Sequence, residues 1–379
     1  MTAIKQRQVF YLHGFDPRGA AHYHRLYREQ AALQGNTNQL HINVQARKRH
    51  SSHSHQWQLN ADGTQSNYCF LSWDDIVRRH WAKGWNNIIT DMFCFMRCYV
   101  LTPNALRYIF AAPKQLMAGL YPAVFMLLSL MLSVWASASA ASQLPWQMAQ
   151  WPAGLVLFAA LMHGSKWLGN KMAVFWLLRI YAFSARWANG RVPELEPRIN
   201  HFAGQIANAI NDERNQEVVV IAHSVGTMVA MPAMARALEL INNKARLANQ
   251  RVVLITLGHC IPLVSFHRKA SAFRADMRAL GHTPELLWLD YTAPTDGACF
   301  PLLNPVTSCG ETCAPNAGPR MLSPRFFTLF HPPRYKKLRR AWYTMHFLYL
   351  MATDKPGPYD FFAFTAGPLA IASQLKERS

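Results

Sequence analysis

The stretch Val218-Val219-Val220-Ile221-Ala222-His223-Ser224-Val225-Gly226 decides how the chain is read. Its β-branched run fits a strand buried on both faces, as in a parallel sheet. The run passes straight into the small-x-Ser-x-Gly turn Ala222–Gly226 and then into a helix of small residues, from Gly226 to about Ala245. A nucleophile on so sharp a strand-to-helix turn has strained backbone angles and leaves little room two positions to either side. Ala222 and Gly226 meet that demand. Ser224 is expected to project from the turn. The N–H of Val225, at the helix N-terminus, is expected to face a developing oxyanion. His223 is expected to point into the sheet or the pocket rim and is not given the role of base.

Reading outward, Gln8–Leu12 is a short β-type run ending in His13-Gly14-Phe15-Asp16. A His-Gly turn after an early strand suits a second oxyanion donor, the N–H of Phe15. A helix over His22–Leu33, a strand over Leu40–Gln45, an aromatic run Tyr68–Trp73 and a capped helix start at Asp74 follow. Beyond Pro197, helical spacing over Ile199–Ile210 precedes the Ser224 strand. Arg251–Leu257 and Glu285–Asp290 read as further buried strands. Strands alternating with helices predict an α/β fold with a mostly parallel sheet. There is no internal repeat.

These motifs resemble the α/β-hydrolase superfamily in its serine esterase and lipase-like branch, over residues 1–90 and 196–379, with Ala222 departing from G-x-S-x-G. The resemblance implies the chain order Ser, then acid, then His. In ELLWLDYTAPTDGACF, Asp296 lies in the loop and is the first choice as acid, with Asp290 at the strand end as the alternative. His346, in the apolar run TMHFLYLM, is favoured as base. His331, after the strand-like RFFTLF, is the alternative. The implied site is Ser224, Asp296 and His346 with oxyanion donors at Phe15 and Val225, framed by His13, Gly14, Ala222, His223 and Gly226.

Charge places a second feature inside this domain. The 379 residues carry 39 Lys and Arg against 20 Asp and Glu, a net +19, with 51% hydrophobic residues and only 16% charged. So apolar a composition excludes a largely disordered chain. Residues 115–165 hold no charged residue at all. Eight bases (Arg97, Arg107, Lys114, Lys166, Lys171, Arg179, Arg186 and Arg191) and no acid lie between Asp91 and Glu194. A bilayer-spanning helix needs roughly 20 apolar residues. The expectation is therefore a hairpin of two spans, about 116–138 and 146–167, with interfacial Trp135, Trp146, Trp151 and Trp167. Bases on both outer flanks predict a catalytic body on the cytoplasmic side. An even number of crossings also returns the chain to the side that holds residues 13–15, so that Ser224 can join them. The organisation expected is 1–95 and 196–379 as two parts of one hydrolase domain, split by 96–195. Met172–Phe183, which contains Arg179, reads as an interfacial or docking helix.

The remaining signals are weaker. His50, His53 and His55 read as a polar loop, not a metal site. Cys299, Cys309 and Cys313 read as free thiols among seven cysteines. Arg334, Lys336, Lys337, Arg339 and Arg340 read as a solvated or lipid-facing helix face. No phosphate loop or dinucleotide fingerprint occurs, so neither nucleic acid nor a cofactor is expected. The expected function is a membrane-anchored serine hydrolase acting on an ester, lipid-like in keeping with its location. The alternatives are an acyltransferase or thioesterase using the same triad, and an inactive hydrolase-fold membrane module.

Overall fold

The computed structural model describes residues 2–81, 84–241 and 251–378. In chain order the elements are β1 (Gln6–Leu12), α1 (Gly19–Asn38), β2 (Asn43–Val44), β3 (Lys48–Ser51), β4 (Ser54–Ala61), β5 (Thr64–Leu71) and α2 (Asp74–Arg79). Next come α3 (Trp85–Phe95), α4 (Asn104–Ala111), α5 (Pro113–Ala141), α6 (Gln147–Lys171), α7 (Val174–Ala188) and α8 (Leu195–Asn211). Then follow β6 (Glu217–His223), α9 (Gly226–Glu239), β7 (Arg251–Leu257), β8 (Leu286–Tyr291) and β9 (Pro319–Leu322), with short helices between and after the last strands. The expected extension of α9 to Ala245 falls outside the described residues.

The chain divides into two units, Met1–His80 with Arg186–Ser379, and Trp81–Ala185. The first is an α/β unit on a nine-stranded mixed sheet of order β2-β4-β5-β1-β6-β7-β8-β9, with β3 added on β4. The run from β5 through β1 to β9 is parallel, and β2, β3 and β5 each pair antiparallel with β4. The β-branched composition of β6 has its reason here. It lies between β1 and β7, and every residue from Glu217 to His223 is buried. One buried ion pair ties the centre of the sheet to the chain end. Arg7 Nε donates to Glu217 at 2.7 Å, and the rest of its guanidinium donates to the carbonyls of Gly367 and Leu369.

The second unit is helical. Its interior gathers aromatic rings: Phe95 and Tyr99 pack edge-on against Tyr181, whose hydroxyl donates to the Gln115 carbonyl at 3.0 Å. α5 and α6 pack antiparallel. A Cβ on Gly154 would stand 3.4 Å from Ala141, and one on Gly169 would collide with Phe125 and Phe175. All but five of the exposed large hydrophobic side chains among the described residues belong to this unit. α5, with 29 residues, is long and apolar enough to cross a membrane.

Several expectations need correction. Two spans were expected, and α5 alone meets the demand. α6 has 25 residues, but Gln147, Gln150, His163, Lys166, Asn170 and Lys171 dilute its apolar character. Met172–Phe183 is not interfacial. α7 is a core helix of its unit, and Arg179 is buried because Asp91 neutralises it at 2.6 Å. The inserted unit already begins at Trp81, before the expected residue 96. His50 and His55 lie in strands β3 and β4 of a hairpin and not in a loop, and His53 lies in the two-residue turn between them. RFFTLF is no strand: Phe326–Leu329 is a helical turn whose i and i+3 residues, Phe326 and Leu329, are both buried. Leu40–Gln45 contributes only the two residues of β2.

Candidate active site

Four neighbouring parallel strands, β1, β6, β7 and β8, end at one edge of the sheet. The chain order reverses beside β1, which has β5 on one side and β6 on the other. Open α/β sheets bind ligands in the crevice beyond the strand ends at such a reversal. The loops leaving these strands carry His13–Phe15, Ser224, Gly258–Cys260 and Thr292–Asp296.

The turn after β6 has the geometry of a nucleophile elbow. Ser224 has φ +56°, the left-handed region, which costs an L-residue roughly 1–3 kcal/mol and persists only where the surroundings enforce it. The Ser224 N–H donates to the Leu257 carbonyl at 2.9 Å, and its own carbonyl accepts from the Thr227 N–H and hydroxyl. Close packing explains the small residues. A Cβ on Gly226 would lie 2.5 Å from the carbonyl oxygens of both Leu12 and His13. One on Gly14 would lie 2.9 Å from Ser224 Cβ and 3.3 Å from its Oγ. The His13-Gly14-Phe15 turn therefore lies directly against the Ser224 side chain. Val225 caps α9, and Phe15 is buried with its ring edge-on to Trp73. His13 is buried between Phe70 and Trp73, and Trp73 Nε1 donates to its carbonyl at 3.0 Å.

Asp296 and His346 form a buried pair. His346 Nδ1 donates to the carboxylate at 2.9 and 3.1 Å, and the same carboxylate accepts from the Tyr349 hydroxyl and the Ala298 N–H. Burial alone would raise this carboxyl, but the charge and hydrogen bond of His346 and the other donors outweigh it and hold it below the usual carboxylate range. With Nδ1 committed to Asp296, Nε2 is the basic nitrogen of the ring. The remaining carboxylate of the expected set, Asp290, lies in β8 facing Thr256, Thr292 and His259. Burial pushes it up to about 8, which leaves it neutral near pH 7. His331 is exposed at a helix start, and its N–H donates to Asp354. Of the two acid and two base candidates, Asp296 and His346 are the ones the fold pairs.

His223 is a strut. Its Nε2 donates to the His346 carbonyl at 2.8 Å, and burial, followed by the neighbouring His346, lowers it to about 3, so it stays neutral. The residue before Ser224 thereby fastens the segment that carries the imidazole to the elbow. A second link runs through Cys260, whose Sγ lies 3.9 Å from Ser224 Oγ. A Cβ on Gly258 would stand 3.1 Å from Asp296 Oδ2. Arg18 grips Asp16 at 2.6 Å on the loop after β1 and reaches over the Phe347 ring, 5.6 Å away. Tyr349, Cys260, Thr227 and the Asp16–Arg18 pair were not singled out from sequence. The spacing of Tyr349, one helical turn after His346, was the one available signal.

Among the described residues, no three His, Cys, Asp or Glu side chains gather as a metal site. The fold and site define an α/β protein whose mostly parallel sheet is flanked by helices, with a Ser elbow beside a buried Asp–His pair. No family model, curated protein or solved structure matches the chain.

Proposed function

We propose that the protein is an α/β-hydrolase-like serine hydrolase that cleaves an acyl ester through Ser224, His346 and Asp296. The observation that carries this reading is the buried His346–Asp296 pair at the sheet end where the left-handed Ser224 sits. In the proposed reaction Ser224 Oγ attacks the acyl carbonyl carbon, and its proton passes to His346 Nε2. The N–H groups of Phe15 and Val225 stabilise the oxyanion. Collapse of the tetrahedral intermediate breaks the ester C–O bond, and the alcohol leaves with the proton from His346. Water, deprotonated by His346, then attacks the acyl-enzyme and releases the carboxylic acid and free Ser224. Asp296 fixes the Nδ1–H tautomer and stabilises the imidazolium.

The second part of the proposal is a membrane anchor. α5 spans the bilayer, and α6 packs antiparallel along it. Support comes from exposed apolar residues on both helices, such as Leu132, Trp135, Trp151 and Val156, and from bases on both flanks, which favour the cytoplasmic side for the body. An ester with a lipid-like acyl chain fits that setting. The same triad serves acyl transfer or thioester cleavage if an alcohol replaces water or a thiol leaves.

Short-chain p-nitrophenyl ester hydrolysis tests the reading. Ser224→Ala and His346→Ala are expected to abolish turnover, Asp296→Asn to lower kcat by roughly 10³–10⁴, and His331→Ala to leave it unchanged. Turnover that survives Ser224→Ala would refute the assignment.

A further inference from the structure

Away from the strand ends, one face of the sheet carries a pattern that the hydrolase reading leaves unused. The β1–β5–β4 register aligns side chains into rows across the sheet. One row is Gln6, Gln65, Asn60 and, on β2, Asn43. The next is Gln8, Asn67 and Gln58. Every member of both rows is an amide. The opposite face of the same strands is apolar core, with Val9, Tyr11, Leu59, Tyr68 and Phe70 buried.

Strands disfavour Asn, and solvated sheet faces ordinarily carry Thr, Lys, Glu or Arg. In a chain of net charge +19 two wholly uncharged rows are conspicuous; the next row on the same face, Phe10, Cys69, Gln56 and Lys48, carries one cation, at its outer edge. Among the described residues of this surface one amide pair engages itself, at the outer edge, where Gln45 donates to Asn43 at 3.2 Å. Gln6, Gln56, Gln58 and Asn67 make no side-chain hydrogen bond to the described residues.

A cleft of about 310 Å³ opens on this face, floored by Phe10 and Cys69 and walled by α8. Gln8, Gln56 and Asn67 line it from the sheet, and Gln205, Asn208 and Asn215 from the far wall. Gln205 is already oriented. Its Nε2 donates to Ser51 and Ser54, and its Oε1 is buried with no partner among the described residues. The charged residues of the lining, Asp212 and Arg214, neutralise each other at 2.7 Å. A second cleft, of about 190 Å³, shares Gln56 and Asn67 with the first and extends the surface toward Gln45, Gln58 and the cation of Lys48.

An amide offers a donor pair and an acceptor without charge. A wall of them matches a ligand whose hydroxyls alternate as donor and acceptor, and within the cleft of about 310 Å³ the charged side chains, Asp212 and Arg214, cancel each other and leave no free cation for a phosphate or carboxylate. We propose that this cleft binds a neutral polyhydroxylated group, the chemistry of a hexose, at a site separate from Ser224 and independent of the hydrolase reading.

The test is saturation-transfer NMR on the full chain in a detergent without a sugar headgroup. The probes are the methyl glycosides of glucose, galactose and mannose, and N-acetylglucosamine. At least one probe is expected to receive saturation. The double variant Gln56→Leu/Asn67→Leu is expected to weaken its affinity roughly tenfold, for two hydrogen bonds lost. Asn67→Asp, nearly isosteric and gentle on the fold, is expected to weaken it as well. Vesicles of phosphatidylcholine doped with a galactosyl diacylglycerol form a second arm. Competition with the soluble glycoside supports the site with a glycolipid headgroup as source, and its absence supports it with a free saccharide. The proposal is overturned if no probe is saturated, if both variants bind like wild type, or if inorganic phosphate displaces the glycoside at equal concentration.

Discussion

Gly226→Ala isolates the requirement that makes the elbow legible. The added Cβ would sit 2.5 Å from two backbone oxygens, Leu12 O and His13 O, whereas real Cβ atoms essentially never come within 3.0 Å. Something must therefore move by at least about half an ångström, and in a close-packed interior that is felt directly. Neither contact is the tip of a flexible side chain. Both belong to the end of β1, held in register with β6 through Leu12 opposite Ala222. Overpacking of a core costs typically 1–3 kcal/mol, and backbone-to-backbone contact places this case near the upper figure. For a domain of this size about 3 kcal/mol corresponds to a fall in Tm of roughly 6–12 °C. The displaced segment is the His13–Phe15 turn, so ester turnover is expected to fall by roughly 10²–10³ even below the melting range. The assay is thermal unfolding by circular dichroism with turnover measured alongside. Gly204→Ala is the matched control. It lies inside α8 with nothing within 4 Å of its added Cβ, and it is expected to stabilise by about 0.5–1 kcal/mol. If Gly226→Ala melts with the wild type and turns over normally, the packing argument for the elbow is wrong.

Glu217→Ala leaves the Arg7 guanidinium buried without its carboxylate and is expected to cost about 3–5 kcal/mol, read as a lower urea midpoint; the double change Arg7→Met/Glu217→Leu is expected to recover most of it. An unchanged midpoint for the single variant would sink that account. Asp290, raised to about 8 by burial, keeps its proton in the folded state where the unfolded chain loses it near pH 4. The native state thus binds the extra proton between about pH 4 and 8, so this group's stability contribution falls as pH rises through that window. Asp290→Asn is expected to flatten that slope, and an identical slope in the variant would contradict the assignment. In sodium carbonate extraction of membranes the full chain is expected to stay in the pellet, while replacing 113–171 by a short polar linker releases the body; a fully extracted wild type argues against the anchor.

What the sequence disclosed follows from how strongly each segment is constrained. β6, β7 and β8 are almost wholly buried, so the β-branched runs of β6 and β7 and the Leu- and Trp-rich run of β8 stand out. The elbow is written in the small residues that its close approach to β1 demands. The fold hydrogen-bonds Asp296 to His346, and composition alone could not separate them from Asp290 and His331, because that depends on where a loop returns. The β3–β4 hairpin stayed hidden because Lys48–Ser51 and Ser54–Ala61 carry few β-branched residues and owe their strand state to pairing with neighbours. α7 was misjudged for a similar reason. Arg179 looked like a headgroup-seeking base, and only the fold shows Asp91 waiting for it from α3. His223, dismissed as a base, does its work through a backbone carbonyl that sequence does not reveal.

The central claim is that Ser224 is an activated nucleophile, and active-site labelling reads that most directly. The intact protein is treated with a fluorophosphonate, and the modified peptide is mapped by mass spectrometry. The account predicts a single adduct on Ser224, absent in Ser224→Ala and slowed by orders of magnitude in His346→Ala. A folded wild-type protein that stays unlabelled, or carries its label on another serine, would contradict it.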